Sequence, residues 1–306
     1  MVSAKIQISG YAVFLCIALM LSPAHAKETR VMQVFDDMYT MVYRNWVDSN
    51  TTFLVTKDGV IVIDTRTAPS EAKEVLGEIR KRTDLPIKFS INTSFHGGHS
   101  FDNPVFQESE HIVAHRNVFK ILAKISVPEL LIMIENSKKD GLEKASITLP
   151  NLLYEKKMDM FVGGHHLELI HFGPGRTNGD TVVYLPELRM IVAGDIVVNK
   201  QIPFLGHGHI ESWIQVLIEI EKLNIERVIP GHGDVGGKPI LLQTKHYLYA
   251  LRNQVLKQIK AGKTLEETLK AVRPIIQNRY KDWARQDRID GNIKKAYAEY
   301  FSKKRA

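Results

Sequence analysis

Asn92-Thr93-Ser94-Phe95-His96-Gly97-Gly98-His99 is the stretch on which the reading of this chain turns. It follows the apolar run Leu85–Asn92, which reads as a β-strand running into a glycine-containing loop. Three more stretches repeat the design. The alternating run 167–171 leads into His171-Phe172-Gly173-Pro174-Gly175-Arg176-Thr177-Asn178-Gly179-Asp180. The run 189–193 leads into Ala193-Gly194-Asp195, and 227–230 into Pro230-Gly231-His232-Gly233. Glycines let such loops turn tightly, so that side chains from several strand ends can converge. Histidine and aspartate are donors suited to zinc or iron.

Around these loops the pattern is mixed α/β. Two β-branched runs within 52–65 flank Asp58-Gly59, a hairpin signal. Apolar residues at Ala72, Val75, Leu76 and Ile79 predict a helix over 68–82. Further helices are expected over 116–125, 128–144 and 212–223, and a strand over 181–185. After Pro239 the pattern is helical only. Thr264-Leu265-Glu266-Glu267 is a capping box, and 290–301 is another helical stretch. The expected plan is a strand-rich body over 27–236 and a helical C-terminal extension over 237–306.

The 306 residues are 44% hydrophobic and 25% charged, as in ordinary globular proteins, which excludes a disordered chain and a polytopic membrane protein. The net charge of +7 is spread along the chain and does not point to nucleic acid. Residues 1–26 read as a secretory signal peptide: Lys5, an apolar run from Tyr11 to Leu21, then Ala24-His25-Ala26 before Lys27. Its removal leaves no stable membrane anchor and directs the protein to the periplasm or the medium. The only cysteine, Cys16, leaves with it, so any metal must be held by histidine and carboxylate.

The four loops, in this order and spacing, resemble those of the metallo-β-lactamase superfamily. The resemblance covers roughly residues 30–236. It implies a four-layer αβ/βα sandwich with two metal ions at one edge and a metal-activated hydroxide as nucleophile. The usual NTHxHxDH reads NTSFHGGH at 92–99, and the usual GPGHTxGD reads GPGRTNGD at 173–180; AGD at 193–195 and PGHG at 230–233 are intact. Gly206–Trp213, with Asn292, Ala296, Tyr297 and Glu299, is similar to exported hydrolases associated with quinoprotein systems.

Aligned residue by residue, Ser94, Gly98 and Arg176 replace a histidine, an aspartate and a histidine. The family's first metal position is then left with His96 alone. Arginine offers no lone pair, so that position is expected to hold no metal. His99, Asp195 and His232 remain as a two-histidine, one-carboxylate set, with His96 as a fourth candidate. One zinc is expected, with iron as the other choice. Arg176 either pairs with Asp195, replacing a lost cation, or contacts an anionic group of the substrate. Asp102 is read as a solvated loop residue or cap rather than a replacement ligand. His207 and His209 border the cleft with weaker metal-like spacing.

The functional expectation is an exported single-metal hydrolase acting on a small molecule: a lactam, a thioester or ester, or a phosphoester. The alternative is a catalytically inactive binding or accessory protein on the same fold, which would hold no metal. The oligomeric state is left open.

Overall fold

The Lys57-Asp58 turn joins strands β3 (Thr51–Thr56) and β4 (Gly59–Ile63), which pair antiparallel as the Asp58-Gly59 signal predicts. The computed structural model that carries them describes residues 29–43, 48–106, 109–126 and 147–305. The expected signal peptide and the helix expected over 128–144 lie outside the described residues.

Side chains of β4 alternate between two cores. Val60 and Val62 join Ala72, Val75 and Ile79 of helix α1 (Pro69–Arg80), whereas Ile61 and Ile63 face the other way. Strand β10 (Val182–Leu185) does the same. Val183 and Leu185 meet Ile61 and Ile63, while Val182 and Tyr184 face helix α4 (Ile210–Glu221). Period-two alternation in two facing sheets therefore produces the stacking helix, sheet, sheet, helix. This is the four-layer αβ/βα sandwich.

Among the described residues, one sheet runs in sequence order: β1 (Thr29–Phe35), β2 (Met38–Tyr43), β3, β4, β5 (Ile87–Asn92), β6 (His111–His115) and β7 (Leu152–Tyr154). The second has the order β12 (Arg227–Ile229), β11 (Met190–Val192), β10, β9 (His165–Ile170) and β8 (Lys157–Val162). Strands β4 to β7 are parallel, as are β11 and β12. The loops that leave β4, β5, β11 and β12 therefore emerge at C-terminal strand ends, where ligand sites of open α/β sheets form.

The helical region follows as expected: α5 (Lys238–Lys260), α6 (Leu265–Arg279) and α7 (Ile289–Arg305). Both hydrogen bonds of the Thr264–Glu267 capping box form. This region clamps the segment 200–210. Ala284 exchanges backbone hydrogen bonds with Lys200 and Ile202, and Asn292 binds both Pro203 O and Leu205 N. Glu299 accepts from Ile210 N. The two sequence stretches 206–213 and 292–299 thus meet in space. Strands β1, β2, β6, β7 and β8 were not read in the sequence; β1 and β8 are the edge strands of their sheets, and polar residues at Arg30, Gln33, Lys157 and Asp159 interrupt their apolar ones.

A short helix α2 (Gly97–Ser100) follows β5, and helix α3 (Arg116–Leu122) after β6 has a histidine cap. His115 Nδ1 accepts from Asn117 N at 3.2 Å, while its Nε2–H donates to Glu155 O at 2.8 Å. The ring stacks on His171 with centroids 3.9 Å apart. Both bonds require a neutral imidazole, and burial, then the neighbouring His171, push its pKa down to about 4. Unfolded His115 takes up its proton near pH 6.5, so stability contributed by the neutral ring is present above that pH and is lost as pH falls towards 4. His115→Asn keeps a side-chain acceptor for the cap but cannot titrate. In urea unfolding between pH 7 and 4.5, the variant should lose stability less steeply than the parent, by up to roughly 1 kcal/mol per pH unit. Parallel pH profiles would rule this role out.

Candidate functional site

Asp195 lies in the loop after β11, 7% exposed, and three side chains from three other loops reach it. His99 Nε2 and His232 Nε2 stand 3.4 and 3.2 Å from its Oδ1. Arg176 Nη2 stands 3.3 Å from Oδ2. The loop backbones approach so closely that two glycines are required. A Cβ at Gly231 would overlap Asp195 Oδ1, and one at Gly194, which has φ +49°, would overlap Thr93 Oγ1.

Each imidazole is oriented from behind. Asp64, at the end of β4, accepts from His99 Nδ1 at 2.7 Å and from Thr93 N and Oγ1. Asp48 O accepts from His232 Nδ1 at 3.0 Å. With both Nδ1–H groups taken, each ring turns Nε2 towards Asp195. These orienting contacts fix ring and tautomer in the way that metal-ligating histidines require. The donor atoms of His99, Asp195 and His232 lie within 4.8 Å of one another, and Asp195 Oδ1 is buried without a hydrogen bond. Burial opposes charge on His99, yet Asp64 and Asp195 outweigh it and raise its pKa to about 10. Burial works to raise Asp195, but His232 and His99 hold it well below the usual carboxylate range. The His99 imidazolium faces Oδ1 here; with that proton given up, two imidazole nitrogens and a carboxylate oxygen fit a divalent ion such as zinc or iron.

His96 stands apart from this group. Its Nε2 accepts from Arg176 Nη1 at 2.8 Å, with His207 Nδ1 3.0 Å away, so the lone pair a metal would use is already engaged. Burial, then Arg176, hold its pKa well below the usual value. Arg176 bridges His96 and Asp195 and lies over the Phe204 ring at 4.8 Å. Ser94 is buried in the same loop, and its Oγ accepts from His96 N. The substitution at Gly98 also has a steric reason: a Cβ there would overlap Ser49 Oγ, which donates to Gly98 O at 2.5 Å. Asp102 corrects the solvated half of its expectation, while its place directly before the 3-10 turn Asn103–Phe106 agrees with the cap half. It is 3% exposed, its backbone bonded to Arg66 O, and it does not join the metal-type group. His209 is an exposed residue preceding α4, and only His207 of that pair reaches the cavity.

Asp48, Asp64, Asn50 and Arg66 are absent from the sequence reading. Asn50 ties down the 230–233 loop through Pro230 O and Gly233 O. Arg66 is fully buried, hydrogen-bonds Ser49 O, lies over Tyr43 and pairs with Asp48 and Glu71 at 3.5 Å. Asp64 alone carried a sequence signal, as a carboxylate ending a strand at the same edge as the four loops.

A cavity of about 640 Å³ opens over the centre. It is lined by His96, His99, Arg176, Asp195 and His232, by Phe204 and His207 beside them, and by Arg285, Arg288 and Asn292 from the helical region.

Fold and site together define a two-sheet hydrolase sandwich with an imidazole–carboxylate centre at one edge. Residues 44–232 match the model of the metallo-beta-lactamase superfamily, and the chain belongs to that family. A metallo-beta-lactamase type 2 of Elizabethkingia meningoseptica is 24% identical over 218 residues, 68% of this chain and 80% of that protein. The solved metallo-beta-lactamase from Pontibacter korlensis superposes with a TM-score of 0.60 at 21% identity, over 72% of this chain and 99% of its own. The stereoselective inverting sec-alkylsulfatase Pisa1 from Pseudomonas sp. gives 0.67 at 17% identity, over 89% of this chain and 50% of its own.

Gly98→Asp, which puts back the family's residue, should destabilise the protein by about 1–3 kcal/mol because Ser49 occupies the space. Ser49→Gly in the same chain should recover most of that loss. Denaturant midpoints of the single and double variants check both, and an unchanged single variant would contradict the steric account.

Proposed function

We propose that this chain is an exported small-molecule hydrolase with one metal ion held by His99, Asp195 and His232. The observation that carries the reading is the buried Asp195 Oδ1, free of hydrogen bonds and faced by two imidazole Nε2 atoms whose Nδ1 atoms are anchored. A zinc or iron ion bound there would supply Lewis acidity and a water activated for attack. Asp64 and the Asp48 carbonyl hold the two rings in place. Arg176 neutralises the other oxygen of Asp195 and fills the position where the resemblance places a first metal, which favours one ion over two. The Arg176 side chain, with His96, His207 and Phe204 packed beside it, narrows that half of the cavity.

The classes of scissile bond are a lactam, a thioester or ester, and a phosphoester. The alkylsulfatase relative adds a sulfate ester to them. Residues 1–26 support export to the periplasm or the medium, and no helix among the described residues is long and apolar enough to cross a membrane. The occupation of His96 by Arg176 favours a second reading, a catalytically inactive binding or accessory protein that keeps the fold.

Elemental analysis of the mature protein, purified without a metal-binding tag, separates the two. Near one zinc or iron per chain is expected, falling to background in the His99→Ala, His232→Ala double variant. No bound metal after incubation with zinc would remove the hydrolase reading. Hydrolysis of a lactam, a thioester, a phosphoester and a sulfate ester by the metal-loaded protein then identifies the substrate class.

A further inference from the structure

The even spread of charge expected along the chain gives way to a division between its two regions. Residues 237–306 carry 17 lysines and arginines against 6 aspartates and glutamates, a net +11, whereas residues 27–236 carry 23 against 28, a net −5. Part of the positive set fastens the helical region. Lys245 and Arg252 pair with Glu221 and Glu211 of α4, Lys263 pairs with Glu267, and Arg273 with Asp290. Lys257, Lys260, Lys270, Arg279, Lys281 and Lys294 are exposed, and none of them makes an ion pair with another described residue. Tyr297 OH donates to Lys263 O at 2.9 Å and Arg273 Nε to Asp290 Oδ1 at 2.6 Å, so α6 and α7 run antiparallel. Lys270 on α6 and Lys294 on α7 lie between these two contacts, one on each side of the seam. Lys260 ends α5 three residues before Lys263, at the Tyr297 end of the same seam. Ile275 is the only large apolar side chain exposed among the described residues of this region. Its aromatic rings pack on one another, Tyr247 with Tyr280 and Trp283, and Tyr297 with Phe301.

We propose that the helical region is a peripheral docking face for an anionic phospholipid surface, which it meets through the lysines along the α6–α7 seam. Each lysine brought near such a surface adds attraction to the headgroup phosphates, acting over about a Debye length. An ammonium on a flexible stem meets mobile phosphates without a fixed geometry, whereas a guanidinium fork suits a rigid bidentate partner. Five of the six exposed, unpaired cations are lysines. Single-stranded nucleic acid needs aromatic faces for its bases, and here those faces are turned to one another. A protein interface needs an apolar centre, which Ile275 alone does not form. The opposite sign of the body fixes the orientation, because an anionic surface attracts the +11 region and repels the −5 one. Export, which residues 1–26 support, also brings the chain to lipid headgroups rather than to nucleic acid. Docking of this kind is peripheral, since no helix among the described residues is long and apolar enough to cross a membrane. Gly291, one turn before Lys294 on α7, lines the cavity, so the docked chain holds the cavity beside the headgroups. The face lies outside the part of the chain that the family model matches.

Co-sedimentation of the mature protein with lipid vesicles tests this. The vesicles are phosphatidylcholine alone, or phosphatidylcholine with one third phosphatidylglycerol, at 50 and 500 mM NaCl. At low salt the protein is expected to bind the anionic vesicles at least tenfold more tightly than the neutral ones, and at high salt to release them. Lys260→Gln, Lys270→Gln and Lys294→Gln, combined, should weaken binding to the anionic vesicles at least tenfold. Lys57→Gln, Lys73→Gln and Lys120→Gln, combined, remove the same charge from exposed positions of the body and should change it less than threefold. Equal binding to both kinds of vesicle would overturn the proposal. So would equal losses from the two triple variants, or binding that survives 500 mM NaCl. Failure to bind vesicles at low salt would also overturn it, and a 20-base-pair DNA duplex bound in their place would assign the face to nucleic acid. These readouts need neither metal nor turnover, so they stand or fall apart from the hydrolase reading.

Discussion

The carboxylate of Asp195 is the constraint on which the rest of the site depends. It is buried, and a buried charge is tolerated only when other charges and donors surround it. Arg176 meets one of its oxygens, and His99 with His232 meet the other. These three come from loops after β9, β5 and β12, so the ends of both sheets are tied to a single group. Removing one partner of such a set leaves an uncompensated charge, at a cost of about 3–5 kcal/mol in comparable buried pairs. The glycines at 194 and 231 follow from the same requirement, because the backbone must pass against the carboxylate.

A second set of contacts holds these side chains still. Arg66 grips the carbonyl of Ser49 and pairs with Asp48, whose own carbonyl orients His232. Asp64 orients His99, and Asn50 fastens the loop that carries His232. The helical region performs the same service for the cavity lining beside them, where Asn292 and Ala284 hold the segment bearing Phe204 and His207. Rigid support of this kind determines whether a chemical group lies within reach of a substrate or a few tenths of an ångström away.

Much of the fold was legible because it is written in periodicity. The hairpin at Asp58-Gly59, the apolar stripe of α1 and the capping box of α6 are local signals, and each forms where the local pattern placed it. Elements with weak local patterns were not legible. β1 and β8 are edge strands whose apolar residues are interrupted by Arg30, Gln33, Lys157 and Asp159, so neither presents a continuous apolar run like that of β4. Asp102 was misread for a related reason, since a charged residue in a loop looks solvated until the fold closes over it.

The amino-acid sequence by itself determined the layered α/β plan and the four glycine-bearing loops. Through its resemblance to the family it also singled out His99, Asp195 and His232 as the candidate set, beside Ser94, Gly98 and Arg176, which depart from the usual motif. Those properties depend on residue type and spacing along the chain. The tertiary structure decided what the replacements do. Arg176 bridges His96 and Asp195, Ser49 fills the space above Gly98, and Asp64 and the Asp48 carbonyl set the direction of the two imidazoles. It also brought Arg288 from the far end of the chain to the cavity wall. The physical reason is that hydrogen bonds and ion pairs act over a few ångströms, and partners such as His232 and Asp48, 184 residues apart, meet only when both sheets have closed on their shared core.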